Sequence, residues 1–280
     1  MSYEKRIVLA FVISFAVLAL WRIFVFQEPP PPPPKSPPAQ VKPSPSQPPE
    51  TAAPAPPVPL PAQQGTVAEE VVVEGEFYRV TLSTQGAVVR SWILKEYEDQ
   101  KGNPLDVVHR AACEALGFPM SLNVPDQELS KKLNAALFVA APSGAALAAP
   151  VKLDFVYSDG KVQARKQFSF GAGYEVRADF SVSDRQRYLP VEVAWPGGFG
   201  DHALADRLKD ASNQVVFGTT SKLETESQSK VEEVRSVPGP LQLAGMEDRY
   251  FVDIFLPDSP DQAFRFARQP WTPPDWKGEE

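Results

Sequence analysis

The chain has 280 residues, with 31 prolines, one cysteine, and 28 Lys plus Arg against 35 Asp plus Glu, for a net charge of −7. The lone Cys113 rules out an intrachain disulfide, so a folded domain must rest on its own core, in which this thiol reads as a small buried hydrophobe. Residues 29–280 carry 25 basic against 33 acidic side chains, a balance that argues against nucleic acid or anionic lipid as the partner of that region.

The first predicted element is a membrane anchor. From Ile7 to Phe26 the chain is apolar apart from Ser14, Trp21 and Arg22. At about 1.5 Å per residue this run matches a bilayer core of about 30 Å. A buried helix of a soluble domain would need a polar face, and the run has none. No small-x-small cleavage site follows it, because Phe26 leads into Gln-Glu-Pro, so a retained anchor is expected rather than a cleaved signal. Lys5 and Arg6 place the amino terminus in the cytoplasm and the rest of the chain outside, while Trp21 and Arg22 suit the far interface.

Residues 29–61 hold 17 of the 31 prolines, mixed with Ser, Ala and Gln. Such a segment forms neither helix nor sheet and is expected to be extended and solvated, a tether reaching at most about 100 Å at about 3.1 Å per residue. Its PxxP matches fit the tether better than an SH3 ligand, given its expected location outside the cytoplasm. The predicted organisation is an anchor over 1–28, a linker over 29–65 and one folded domain over 66–280.

The folded part alternates like an antiparallel sheet protein. Strands are predicted at 77–83 and 87–97, joined by a tight turn at Thr84-Gln85-Gly86. A short helix follows, capped by Asp126, with Leu129, Leu133 and Leu137 as its apolar stripe. The segment 151–170 reads as a hairpin turning at Asp159-Gly160, with Val151, Leu153, Phe155 and Tyr157 facing Val162, Ala164, Phe168 and Phe170; Lys166 alone breaks the apolar side. Further strands are expected at 174–183, 188–195, 214–220 and 249–257. Strands with one apolar and one polar face pack in pairs, so the fold class is mainly β, a large antiparallel β-sandwich.

No pattern of catalytic or metal-binding residues stands out. His109 and His202 have no metal-ligand spacing to another His or Cys. Asp201-His202 lacks a nucleophile elbow and reads as a solvated loop. The glycines of 196–201 follow an antiparallel strand without a phosphate-binding pattern, so a sharp turn is expected there. No catalytic residue, cofactor or metal ligand is therefore assigned.

Several stretches in order, "EKRIVLAFVISFAVLALWRIFV", "YRVTLSTQGAVVRSWILKEYEDQKGNPLDVV", "FPMSLNVPDQELSKKLNAALFV", "KQFSFGAGYEVRADFSVS", "WPGGFGD" and "MEDRYFVDIFLP", resemble the N-terminal part of bacterial YidC-type membrane protein insertases. The resemblance implies one N-terminal transmembrane helix, a periplasmic β-supersandwich and then five further helices forming the insertase core. It also implies a non-enzymatic role in inserting and folding nascent inner-membrane proteins beside the Sec translocon with SecD and SecF. After Phe26 no apolar run is long enough to cross a bilayer, so the expectation is the anchored periplasmic part, ending before the core and before the last sandwich strands. "AFRFAR" at 263–268 is the expected open edge. The alternative from a different class is a membrane-anchored carbohydrate-binding or mutarotase-like sandwich, which would need a general acid and a general base facing each other in a cleft.

Overall fold

The computed structural model describes residues 61–272 apart from 100, 186, 202–213, 232–233, 249, 260–261 and 270. The predicted anchor, with Lys5, Arg6, Ile7, Trp21, Arg22 and Phe26, and most of the linker lie outside the described residues. Among the described residues, no helix is long and apolar enough to cross a membrane.

In chain order the elements are β1 (Glu70–Glu74), β2 (Tyr78–Ser83), β3 (Val88–Glu98), β4 (Pro104–Asp106), α1 (Arg110–Leu116), β5 (Ser121–Asn123), α2 (Gln127–Ala135), β6 (Val139–Ala141) and β7 (Ala146–Ala148). There follow β8 (Val151–Ser158), β9 (Val162–Phe170), β10 (Val176–Asp184), β11 (Tyr188–Leu189), β12 (Glu192–Ala194), β13 (Gln214–Gly218), β14 (Leu223–Ser227), β15 (Val234–Val237), β16 (Leu243–Glu247), β17 (Val252–Phe255) and β18 (Phe264–Ala267). Two five-stranded sheets, ordered β4-β3-β2-β1-β7 and β11-β10-β9-β8-β6, share one core. A four-stranded sheet, β14-β13-β16-β17, and the pairs β12-β5 and β15-β18 complete the described structure. The pairing is antiparallel throughout except between β1 and β7, which run parallel.

Alternation explains the core. On β8, Leu153, Phe155 and Tyr157 are buried, and on β9 so are Ala164, Phe168 and Phe170, while Lys152, Asp154 and Arg165 stay outside. From the facing sheet come Val71, Val73, Tyr78, Val80 and Leu82. The β8–β9 turn is centred one residue later than expected, on Gly160–Lys161: the Asp159 N–H donates to the Val162 carbonyl at 3.2 Å and Gly160 takes φ +83°. Glycine is favoured at the first central position of such a two-residue hairpin because a Cβ there is strained. The Asp159 carboxylate accepts from the Lys161 and Val162 N–H groups, both at 2.8 Å, and stabilises the reversal from its flank.

Two expected elements are altered. The single strand predicted over 188–195 is divided by Pro190: β11 pairs with β10, whereas β12 leaves that sheet and pairs with β5. Proline has no N–H to continue a ladder, so the chain changes sheets there. The strand predicted at 249–257 is shortened to β17, because Asp248 accepts from the Tyr250 and Phe251 N–H groups at 2.7 Å each and holds those residues in a turn. The helix α2 forms as expected, with Asp126 Oδ1 accepting from Glu128 and Leu129 N–H and Leu133 fully buried, whereas Leu137 lies beyond its end in a bridge to Gln85. Asn134 fastens α2 to β5 by both accepting from the Leu122 N–H (2.9 Å) and donating to the Leu122 carbonyl (2.8 Å).

These interactions set a scale for perturbation. Asp126→Ala is expected to cost about 1 kcal/mol through loss of the cap, and Phe168→Ala about 3–5 kcal/mol through lost burial and a residual cavity. Urea unfolding of the two variants beside the parent chain checks both the magnitudes and their order.

Candidate functional site

The residue that breaks the apolar face of β9 is the centre of the first candidate site. Lys166 is 0% exposed, and its Nζ donates to the carbonyls of Gly86 (2.6 Å), Met120 (2.7 Å) and Ala87 (3.2 Å). A protonated lysine has three donors and no acceptor, so three carbonyls satisfy it completely. All three acceptors belong to residues at positive φ: Gly86 at +72°, Ala87 at +48° and Met120 at +68°. For alanine and methionine that conformation costs about 1–2 kcal/mol each, and it persists only where surrounding contacts over-determine it. The ammonium supplies such a contact, and the Phe138 ring lies 5.7 Å from it.

Burial pushes the Lys166 amine down to about 7. A buried amine near neutrality has the titration of a nucleophile or base, yet Nζ is enclosed by backbone and apolar side chains, so substrate cannot approach it. Its role is structural, joining the β2–β3 reversal, the approach to β5 and the second sheet.

A second feature attaches the four-stranded sheet to the sandwich. Trp195 stands 6.3 Å from Trp92 on β3, 5.9 Å from Phe199 and 6.4 Å from Phe255 on β17, and its indole N–H donates to the Gly198 carbonyl at 2.8 Å. Phe255 in turn meets Phe264 of β18 at 6.4 Å. This seam fixes β17 by its inward face. On the same strand Asp253 is half-buried, and its enclosed Oδ2 has no hydrogen-bond partner among the described residues. Burial pushes this carboxyl up to about 7.

The other residues singled out in the sequence are dispersed rather than gathered into one site. His109 precedes α1 and meets Trp271 edge-on at 4.8 Å. His202 lies outside the described residues, and the Asp201 N–H donates to Asp248 Oδ2 at 2.9 Å. Cys113 is buried, with its thiol pushed up to about 11 by burial and then by the Asp106 charge, which leaves it inert as a nucleophile at neutral pH. The glycines of 196–201 form a turn packed on α1, where a methyl on Gly197 would collide with the Cys113 sulfur. Among the described residues, no group of three His, Cys, Asp or Glu side chains could hold a metal ion.

What the surface offers instead is apolar. On the outward side of β17 and just beyond it, Val252, Ile254 and Leu256 are 51%, 43% and 68% exposed. A surface of this kind suits docking better than chemistry.

A sequence model for the YidC periplasmic domain matches residues 70–270. Among curated relatives, the membrane protein insertase YidC of Syntrophus aciditrophicus is 24% identical over 92% of this chain and 51% of its own length. That of Anaeromyxobacter dehalogenans is 28% identical over 95% and 51%, and that of Amoebophilus asiaticus 25% identical over 76% and 37%. This chain thus spans about half the length of the first two. Among solved structures, a galactose mutarotase-like protein from Lactobacillus casei aligns with a TM-score of 0.43 at 9% identity, over 65% of this chain and 76% of that one.

Lys166 and Asp253 give the domain an expected pH signature. Lys166 ionises near 7 when folded and near 10.5 when unfolded, so above pH 7 the unfolded chain binds more protons and stability rises with pH. Asp253 has its pKa raised from 3.8 to about 7, so between those values the folded chain binds more protons and stability falls as pH rises. Thermal midpoints measured from pH 5 to 9 should pass through a minimum near neutrality. Asp253→Asn should flatten the acid limb and Lys166→Met the alkaline limb, the latter also losing about 2–4 kcal/mol because three carbonyls are left without their donor.

Proposed function

Because this chain belongs to the YidC family through its periplasmic domain, we propose that it is the membrane-anchored periplasmic part of an insertase for inner-membrane proteins. The observation that carries this reading is the match of the periplasmic-domain model over residues 70–270, within alignments covering 92–95% of the chain. In this reading Ile7 to Phe26 is the single span, Lys5 and Arg6 hold the amino terminus in the cytoplasm, Trp21 and Arg22 sit at the outer interface, residues 29–65 are the tether and residues 66–280 are periplasmic.

The domain acts as a scaffold or docking module without catalysis of its own. A sealed amine at Lys166, an inert thiol at Cys113 and an exposed apolar strand support that role. The Sec translocon with SecD and SecF are the proposed neighbours, and nascent inner-membrane proteins are the proposed clients of the whole insertase. Insertion itself is assigned to the half of the relatives' length that these 280 residues do not span, and that half is also proposed to complete the sandwich. One anchor helix cannot enclose a polar path through lipid, where each unsatisfied polar group costs several kcal/mol. No observation separately favours the carbohydrate-binding or mutarotase-like alternative.

When these 280 residues are expressed in cells depleted of their own YidC, the chain is expected in the inner-membrane fraction with its amino terminus intact. Its domain should be accessible to protease in spheroplasts, and growth should not be rescued. A mature amino terminus between residues 16 and 65 would overturn the anchor, and rescue would overturn the scaffold reading.

A further inference from the structure

Asp253 is the exception in an otherwise satisfied interior. Among the described residues, its Oδ2 is the one enclosed side-chain nitrogen or oxygen without a hydrogen-bond partner. An unpaired buried carboxyl is tolerated far more readily as the neutral acid than as the anion, so its surroundings decide its proton. Alternation puts it on the inner side of β17: Phe251 and Phe255, two residues before and after it, meet Tyr97 edge-on at 5.1 Å and Trp195 at 6.4 Å. The carboxyl therefore lies along the aromatic seam.

The charged groups on the elements around this face are engaged elsewhere. β16 sets Met246 opposite Asp253, while its Glu247 is the partner of Val252 and lies on the outer face. Asp248, in the turn between the two strands, accepts from the N–H groups of Asp201, Tyr250 and Phe251. Glu192 of β12 and Arg265 of β18 pair with each other. On β3, Arg90 lies over the Phe118 ring, Lys95 pairs with Glu74, Glu96 accepts from the Tyr174 hydroxyl and Glu98 is exposed. Burial raises the Asp253 carboxyl to about 7, and no described charge adds to that effect.

Ionising this acid requires water at Oδ2, and β17 is the element that can admit it at least cost. Among the described residues it pairs with β16 alone, whereas β13 and β16 each have two neighbours. Its outer side chains Val252 and Ile254 are already exposed, so release uncovers chiefly Asp253 and Phe255. We propose that Asp253 is a proton-operated latch: the neutral acid keeps the inner face of β17 against the aromatic seam, and loss of the proton favours local release of this strand while the two five-stranded sheets stay folded. The docked strand holds its proton to higher pH than the released one, whose solvated carboxyl has its ordinary value of 3.8. Docking is therefore fully favoured below 3.8 and weakens as pH rises towards 7. Lys166 does not interfere in that window, because below 7 it is protonated whether the chain is folded or not. The latch goes beyond the family reading and concerns the domain's own dynamics.

The test is native-state amide exchange on the full 280-residue chain in detergent between pH 5 and 7, corrected for the intrinsic rate at each pH and repeated in low urea. The amides of β17 that pair with β16 are expected to exchange through a local opening that low urea does not change, with an equilibrium constant rising about tenfold per pH unit from 5 to 6.5. Amides of β8 and β9 should be better protected and sensitive to urea, as openings of the core require. Asp253→Asn should remove the pH slope on β17 and leave it about tenfold or more better protected than the parent at pH 7. Glu247→Gln, on the outer face, should leave the slope unchanged. A parent whose β17 protection is independent of pH, β17 amides that share the protection and urea response of β8 and β9, an undiminished slope in Asp253→Asn, or a slope lost in Glu247→Gln would each overturn the proposal. The parent's own profile decides if the Asn variant does not fold. Because the readout is exchange, failure here is distinct from failure of the insertase reading, which rests on localisation and rescue.

Discussion

An ammonium enclosed in an apolar core is tolerable only when each of its donors has an acceptor, and Lys166 meets that condition with backbone carbonyls alone. The acceptors lie on two separate chain reversals, Gly86–Ala87 and Met120, each in a left-handed backbone conformation that turns its carbonyl toward the amine. Removing the lysine would leave three buried carbonyls without their donor while the unfavourable backbone conformations remained. Removing the reversals would leave a buried charge. Each is therefore stable only in the presence of the other, and together they fix the register between the two sheets of the sandwich, because β9 carries the amine and the β2–β3 connection carries two of the acceptors. Nearby contacts reinforce the arrangement: the Gly86 N–H donates to the Ala136 carbonyl at 2.7 Å, and the Phe138 N–H to the Thr84 carbonyl at 2.8 Å, so the exit of α2 is tied to the same reversal.

How much of the fold is legible in the sequence depends on how local its causes are. Long strands such as β8, β9 and β10 announce themselves because alternate burial repeats over eight or nine residues, and α2 does so because cap and stripe lie within one helix. The three-residue strands β4, β5, β6, β7 and β12 give no period to detect, and β6 and β7 lie in a stretch rich in alanine. The short helix α1 escapes detection because it has neither a side-chain cap nor an acidic first turn. Local pattern puts an open edge at 263–268, and there β18 pairs with β15 alone, which leaves its other side without a described neighbour. The outer strands β14 and β17 of the four-stranded sheet likewise have one described neighbour each, a fact set by sheet order rather than by local pattern.

The site is less legible than the fold. Lys166 is visible as a polar residue on an apolar face, yet its meaning lies in acceptors 80, 79 and 46 residues away, all of them main chain and so without a sequence signature. Asp253 sits one residue from the apolar positions of its strand, and alternation alone would let it face either solvent or core. The aromatic seam settles its direction: Phe255, two residues on, packs against Trp195, so the odd positions of β17 point inward and the even ones outward.

That parity links the interior to the surface. Because Trp195 bridges Trp92 on the sandwich to Phe255 on β17, the edge strand is held from its inner side and has only its outer side left to offer. Its outward residues Val252 and Ile254 are apolar, and its inward Asp253 is an enclosed acid that burial pushes up to about 7. Lys166 and Cys113 are both enclosed in the core rather than presented at the surface. Along β17 the surface therefore carries a row of apolar side chains over an enclosed acid, an arrangement set by strand parity and by the aromatic seam together.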